Sequence, residues 1–152
     1  LLLIILSVFF VIIFFIDLKH FIIPNSLTFP LMFIGFIKSF DPNLDNFLFP
    51  NYINSLIGGV IGYLIIWLII FVYKKVRNKE GMGLGDAKLL SAIGFWFGWV
   101  SIPFVLFLSS IIALGLSLPS LINKSKNLSS QIPFGPYIIL GITLYVFIKH
   151  MI

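Results

Sequence analysis

Two carboxylates in this chain stand where chemistry is possible and chance is costly. Asp17 lies in Asp17-Leu18-Lys19-His20-Phe21-Ile22-Ile23-Pro24-Asn25, and Asp86 in Gly81-Met82-Gly83-Leu84-Gly85-Asp86-Ala87-Lys88-Leu89. The chain has only five acidic residues in 152, and these two fall where long apolar segments meet a proline-containing or glycine-rich turn. An Asp at the centre of a bilayer helix costs roughly 2.5 to 3.5 kcal/mol on insertion scales, so an acid beside a membrane segment is by default a functional hypothesis. Two carboxylates brought close together cannot both ionise readily. They share a proton, and one can then serve as base toward a water while the other acts as acid.

Each has a plainer reading. Asp17 follows sixteen uncharged residues, all but Ser7 apolar, and could simply end a helix at the membrane boundary beside a snorkelling Lys19. Asp86 follows Gly81, Gly83 and Gly85 and precedes a helical pattern, so it could be an N-cap. Against that, the 18 residues from Asp86 to Pro103 extend only about 27 Å as a helix, which holds Asp86 at or just within the membrane border. Glycines at alternate positions also allow positive φ and the close approach of another backbone, as a site gripping an extended peptide requires.

The elements that position these residues follow from composition. With 60% hydrophobic, 17% aromatic and 10% charged residues and a mean hydropathy of +1.15, the chain has too little polar surface for an ordinary soluble domain. It reads as an all-α, polytopic membrane bundle forming one domain over residues 1–152. Charge-free runs cover Leu1 to Ile16, His20 to Ile37, Asn46 to Tyr73, Leu89 to Asn123 and Asn127 to Ile148. The fourth, at 35 residues, would be about 52 Å as one helix, against a hydrocarbon core of roughly 30 Å, so it must turn back. Ser101 and Pro103 mark the expected turn. Six membrane segments result, with cores near 1–16, 27–38, 52–73, 87–100, 103–122 and 134–150. Residue 1 lies inside an apolar run without a Met or a basic flank, and so is expected not to be the natural start; a signal peptide fits poorly. Cysteine is absent, which excludes thiol catalysis and cysteine zinc sites within these residues.

The net charge of +5 does not point to nucleic acid, because the basic residues fall in short loops between segments. Lys19, Lys74, Lys75, Arg77, Lys79, Lys88, Lys124 and Lys126 lie on the side of both aspartate motifs; Lys38 and Lys149 lie on the other. That bias places the motifs on the cytoplasmic face of the inner membrane. The basic run from Lys74 to Lys79 suits anionic lipid of the bilayer. The fourth segment also carries small residues at Ala87, Ser91, Gly94 and Gly98, echoed by Gly58 and Gly62 in the third. Such stripes let helices approach closely, and this one is expected to bring the helix after Asp86 toward the helix ending at Asp17. The sixth segment opens with Pro133-Phe134-Gly135-Pro136. Lys88 and Glu80 flank the second motif and could tune it electrostatically. His20 and His150 have no neighbours of a metal site.

Taken together, these motifs resemble the type IV prepilin peptidase family, the GxGD aspartyl proteases of bacterial membranes. Asp17 with Ile23, Pro24 and Asn25 matches its first motif; Gly81, Gly83, Gly85, Asp86, Lys88 and Leu89, continuing through Gly94, Gly98 and Trp99, match its second; Pro133 to Pro136 match a third element before the last helix. The resemblance covers essentially the whole chain. It implies Asp17 and Asp86 as the catalytic pair, with Pro24, Asn25, Gly81, Gly83, Gly85, Lys88, Pro133, Gly135 and Pro136 as substrate-binding or supporting residues, and no metal or cofactor. It also implies prepilin and pseudopilin substrates, whose short basic leader precedes an apolar helix. Bacterial members usually add an N-terminal helix and a paired-cysteine segment linked to N-methylation; nothing in these residues corresponds to it, so the resemblance extends to the peptidase alone. Two readings compete: a small carboxylate-dependent, proton-coupled transporter, and an inactive relative that assists pilus or secretion assembly. The acids at one border, with no charged path to the other side, argue against the transporter.

Overall fold

The computed structural model describes residues 1–44, 49–78, 83–123 and 133–152. Lys79, Glu80, Gly81, Met82, Lys124 and Lys126, all used above, lie outside the described residues. Six α-helices follow in order, with no strand among the described residues: α1 (Leu2–His20), α2 (Asn25–Lys38), α3 (Tyr52–Arg77), α4 (Leu84–Phe97), α5 (Ser101–Ile122) and α6 (Gly135–Met151). One 3-10 turn, Pro42–Leu44, lies between α2 and α3.

α1, α3 and α5 are each long and apolar enough to cross a membrane. α2 and α4 have 14 residues each, about 21 Å of helix, and α6 is a shorter apolar helix of 17. The six expected segments are therefore six helices of two kinds. α4 is the inner one: ten of its 14 residues are buried. The long helices turn large apolar side chains outward, among them Val8 and Phe15, Leu68 and Phe71, and Phe104 and Phe107. In water such a surface would aggregate, whereas lipid accepts it.

α4 is held against α3 by contact between backbones. A Cβ added at Gly58 would stand 2.5 Å from the Gly94 carbonyl oxygen, one at Gly94 would strike the Gly58 backbone, and one at Gly62 would stand 2.7 Å from the Leu90 carbonyl oxygen. Two hydroxyls fasten the same seam, Ser91 donating to the Gly59 carbonyl at 2.8 Å and Ser55 to the Phe95 carbonyl at 2.6 Å. The small-residue stripe thus serves a different partner from the one expected. Ser91 and Gly94 face α3, and Gly98 faces Pro50 and Asn54. α1 is joined to the bundle through α6 and α2.

The turn after α4 also falls earlier than expected. Gly98 adopts φ 82, a left-handed value open to glycine, and its N–H closes on the Gly94 carbonyl. Ser101 opens α5 with its hydroxyl on the Gly98 carbonyl at 2.7 Å. Pro103 then sits inside the first turn of α5, where no intrahelical partner awaits its missing N–H.

Lys38 is a second correction. It was counted above as a loop charge on the outer side, yet it is only 6% exposed. Its ammonium donates to the Trp96 carbonyl at 2.9 Å and lies 4.1 Å from the centre of the Phe49 ring. The Trp96 carbonyl is among the last four of α4, which lack intrahelical partners and carry partial negative charge, so a buried cation at that end finds an acceptor. Trp96 returns the connection to α2, its indole N–H donating to the Leu31 carbonyl at 2.8 Å.

Candidate active site

Asp17 is placed by how α1 ends. The helix runs one turn past it, and Phe21, in the left-handed region at φ 56, turns its N–H back onto the Asp17 carbonyl. Pro24, extended at φ -68 and ψ 137, starts α2 and accepts the N–H groups of Leu27 and Thr28. A residue that merely ended a helix at the boundary would be exposed, as Lys19 is. Asp17 is only 4% exposed. Its carboxyl lies directly against Gly135 at the start of α6, whose backbone N–H is directed at it. One carboxyl oxygen, Oδ2, is buried with no hydrogen-bond partner among the described residues.

Asp86 is the third residue of α4, and the N-cap is Gly83. The capping reading of Asp86 is therefore set aside: its own N–H bonds to the Gly83 carbonyl at 3.3 Å, and its side chain, 8% exposed, points into the bundle rather than over the helix end. The glycines before it divide in role. Gly83 is extended at φ -84, and the nearest atom to a Cβ added there is 3.9 Å away, so neither positive φ nor a close approach requires it. Gly85 does meet a close approach, with Ile23 3.0 Å from where its Cβ would be.

Ile23 ties the two motifs together. It is buried between Gly85 on α4 and Gly135 on α6, its Cδ1 3.0 Å from where a Gly135 Cβ would stand. Three chain segments thus converge at one end of the bundle. There Asp17 packs on Gly135, Asp86 follows Gly85, and Ile23 lies against both glycines. On the exposed rim, Lys88 donates to the Asn25 side-chain oxygen at 2.6 Å and lies 5.6 Å from the Phe29 ring. Lys88 therefore links the second motif to the first. Pro133 is half-buried ahead of α6, and Pro136 is buried in its first turn. Ile23 was matched above as part of the first motif but given no role in the site; apolar and inside an apolar run, it carries no chemical signal of its own.

A model of the type IV leader peptidase family matches residues 4–118, a range that includes both aspartates. The chain belongs to that family. Membership bears out the resemblance drawn from the two aspartate motifs. As a type IV leader peptidase family member, the chain is similar to proteins named prepilin leader peptidase/N-methyltransferase. That of Aeromonas hydrophila is 39% identical over 126 residues, covering 82% of this chain and 41% of the relative. That of Stutzerimonas stutzeri is 40% identical over 124 residues, covering 81% and 41%. That of Xanthomonas campestris pv. campestris is 38% identical over 135 residues, covering 89% and 45%. The chain thus spans about two fifths of the length of these curated relatives. No solved structure matches it.

Proposed function

We propose that this chain is a membrane aspartyl endopeptidase that removes the short basic leader from prepilins and pseudopilins at the cytoplasmic border of the inner membrane. The observation that carries the reading is the convergence of two buried aspartates, Asp17 and Asp86, from different helices at one end of a membrane bundle. The names of the relatives supply the substrate class. In the proposed reaction the pair holds one proton between its two carboxyls. The ionised carboxyl takes a proton from a water, whose oxygen attacks the scissile carbonyl, while the protonated one donates to that carbonyl's oxygen. Collapse of the tetrahedral intermediate breaks the C–N bond and a proton passes to the leaving amine, which becomes the new N-terminus. A leader in the aqueous phase followed by an apolar helix in the bilayer presents its junction at the depth of these acids. Purified chain in detergent should therefore cut a prepilin encoded by the same genome once, at that junction. A prepilin left intact, or cut within its apolar helix, would count against the reading.

The cytoplasmic orientation rests on the basic bias toward the aspartate side, where Lys74, Lys75 and Arg77 occupy the last turn of α3. A cysteine introduced at Asn78 should be protected from an impermeant thiol reagent in intact cells, and one at Asn43 should label. The reverse pattern contradicts this orientation.

A further inference from the structure

The first turn of α6 has backbone donors left over. Its ladder begins with the Ile138 N–H on the Phe134 carbonyl at 3.1 Å, and Pro136 has no N–H, so the Gly135 N–H is one of the few groups at this helix start free to serve a side chain. That N–H is directed at the Asp17 carboxyl. The carboxyl also occupies the space a side chain at 135 would need: a Cβ there meets Asp17 Oδ2 first, then Asp17 Cγ at 3.1 Å and Ile23 Cδ1 at 3.0 Å. Asp17 itself is buried, and its Oδ2 lacks any partner among the described residues. A buried carboxyl with one unpartnered oxygen keeps its orientation only if something else fixes it. Packing on the bare Gly135 backbone, with an N–H facing the carboxyl, does so.

We propose that Gly135 is a positioning residue for Asp17: its backbone seats the carboxyl, and its lack of a side chain gives that carboxyl its place opposite Asp86. The inference rests on the aspartate-pair reading and deepens it, giving the start of α6 a share in the site. It differs from simple close packing in one respect. The obstacle to a larger residue at 135 is the carboxyl of Asp17 itself, so removing that carboxyl removes most of the obstacle.

The test uses the full chain in detergent, with Gly135→Ala made in the wild-type and Asp17→Ala backgrounds. In the wild-type background kcat for prepilin cleavage should fall about 100-fold, the loss expected of a reacting group displaced by about 1 Å, with KM within about threefold, since substrate contacts are kept. Thermal melting should drop in the wild-type background and recover in the Asp17→Ala background. Cleavage within about threefold of wild type, or an equal melting loss in both backgrounds, overturns the proposal. If Gly135→Ala alone yields no folded protein, the double variant decides: folding restored supports the proposal, and folding still lost overturns it. Asp17→Asn separates the two levels of inference. Wild-type cleavage by Asp17→Asn removes the aspartate pair itself, whereas an inactive Asp17→Asn beside a fully active Gly135→Ala removes only the role of Gly135.

Discussion

Asp17→Asn and Asp86→Asn are each expected to lower prepilin cleavage at least about 1000-fold while leaving the protein folded. Asn keeps the size of Asp but can neither take a proton from water nor give one to a carbonyl oxygen. Both side chains are buried, at 4% and 8% exposure, and burying a neutral amide costs less than burying a charge. Melting temperatures should therefore stay near wild type or rise slightly. The control is Asp41→Asn: Asp41 is exposed, and its carboxylate accepts from the Asn43 backbone and side chain at 3.0 Å each, well away from either motif. Its cleavage rate should be unchanged. Near-normal cleavage by either motif variant would remove that aspartate from the reaction.

The largest stability effect is expected at the seam between α3 and α4. Gly94→Leu would drive a side chain into the Gly58 backbone, and Gly58→Leu would do the same to the Gly94 and Gly98 backbone. Neither obstacle can swing aside as the end of a flexible side chain could. Overpacking typically costs 1 to 3 kcal/mol, and where backbone meets backbone the upper end, about 3 kcal/mol or more, is expected. The hydroxyl bonds from Ser91 and Ser55 along the same seam would be strained as well. Gly115→Leu is the matched control, since a Cβ there meets nothing within 4 Å. Thermal melting in detergent should separate the two sites clearly; equal loss at Gly94 and Gly115 would mean that α4 is not held by this contact. Because α4 carries Asp86, Gly94→Leu should also lose cleavage.

How far the residues foretold this arrangement depends on the kind of signal each carried. Asp17 and Asp86 stood out because an acid in an apolar chain is costly, and both are buried in the bundle. The number of helices was legible because apolar run lengths divide by the thickness of a bilayer. What remained hidden was pairwise. The stripe at Ser91 and Gly94 announced close packing but not the partner, and α3 took it instead of α1. Lys38 looked like a loop charge because only its position in the chain was visible; the acceptor, the Trp96 carbonyl, is 58 residues away. Gly85 was legible as a glycine open to close approach and Ile23 as part of the first motif, but that the one packs on the other appears only when α4 and α6 close around the turn after α1. The link from Lys88 to Asn25 joins two motifs that are 63 residues apart, a distance across which no local rule reaches.

Single-turnover cleavage by four proteins, wild type, Asp17→Asn, Asp86→Asn and the double variant, tests most directly the claim that the two aspartates act as one catalytic unit. Groups that share one proton fail together, so each single variant should fall to the same background rate and the double variant should be no slower. Losses that add from one variant to the other, or a single variant that retains substantial cleavage, would contradict a shared-proton pair.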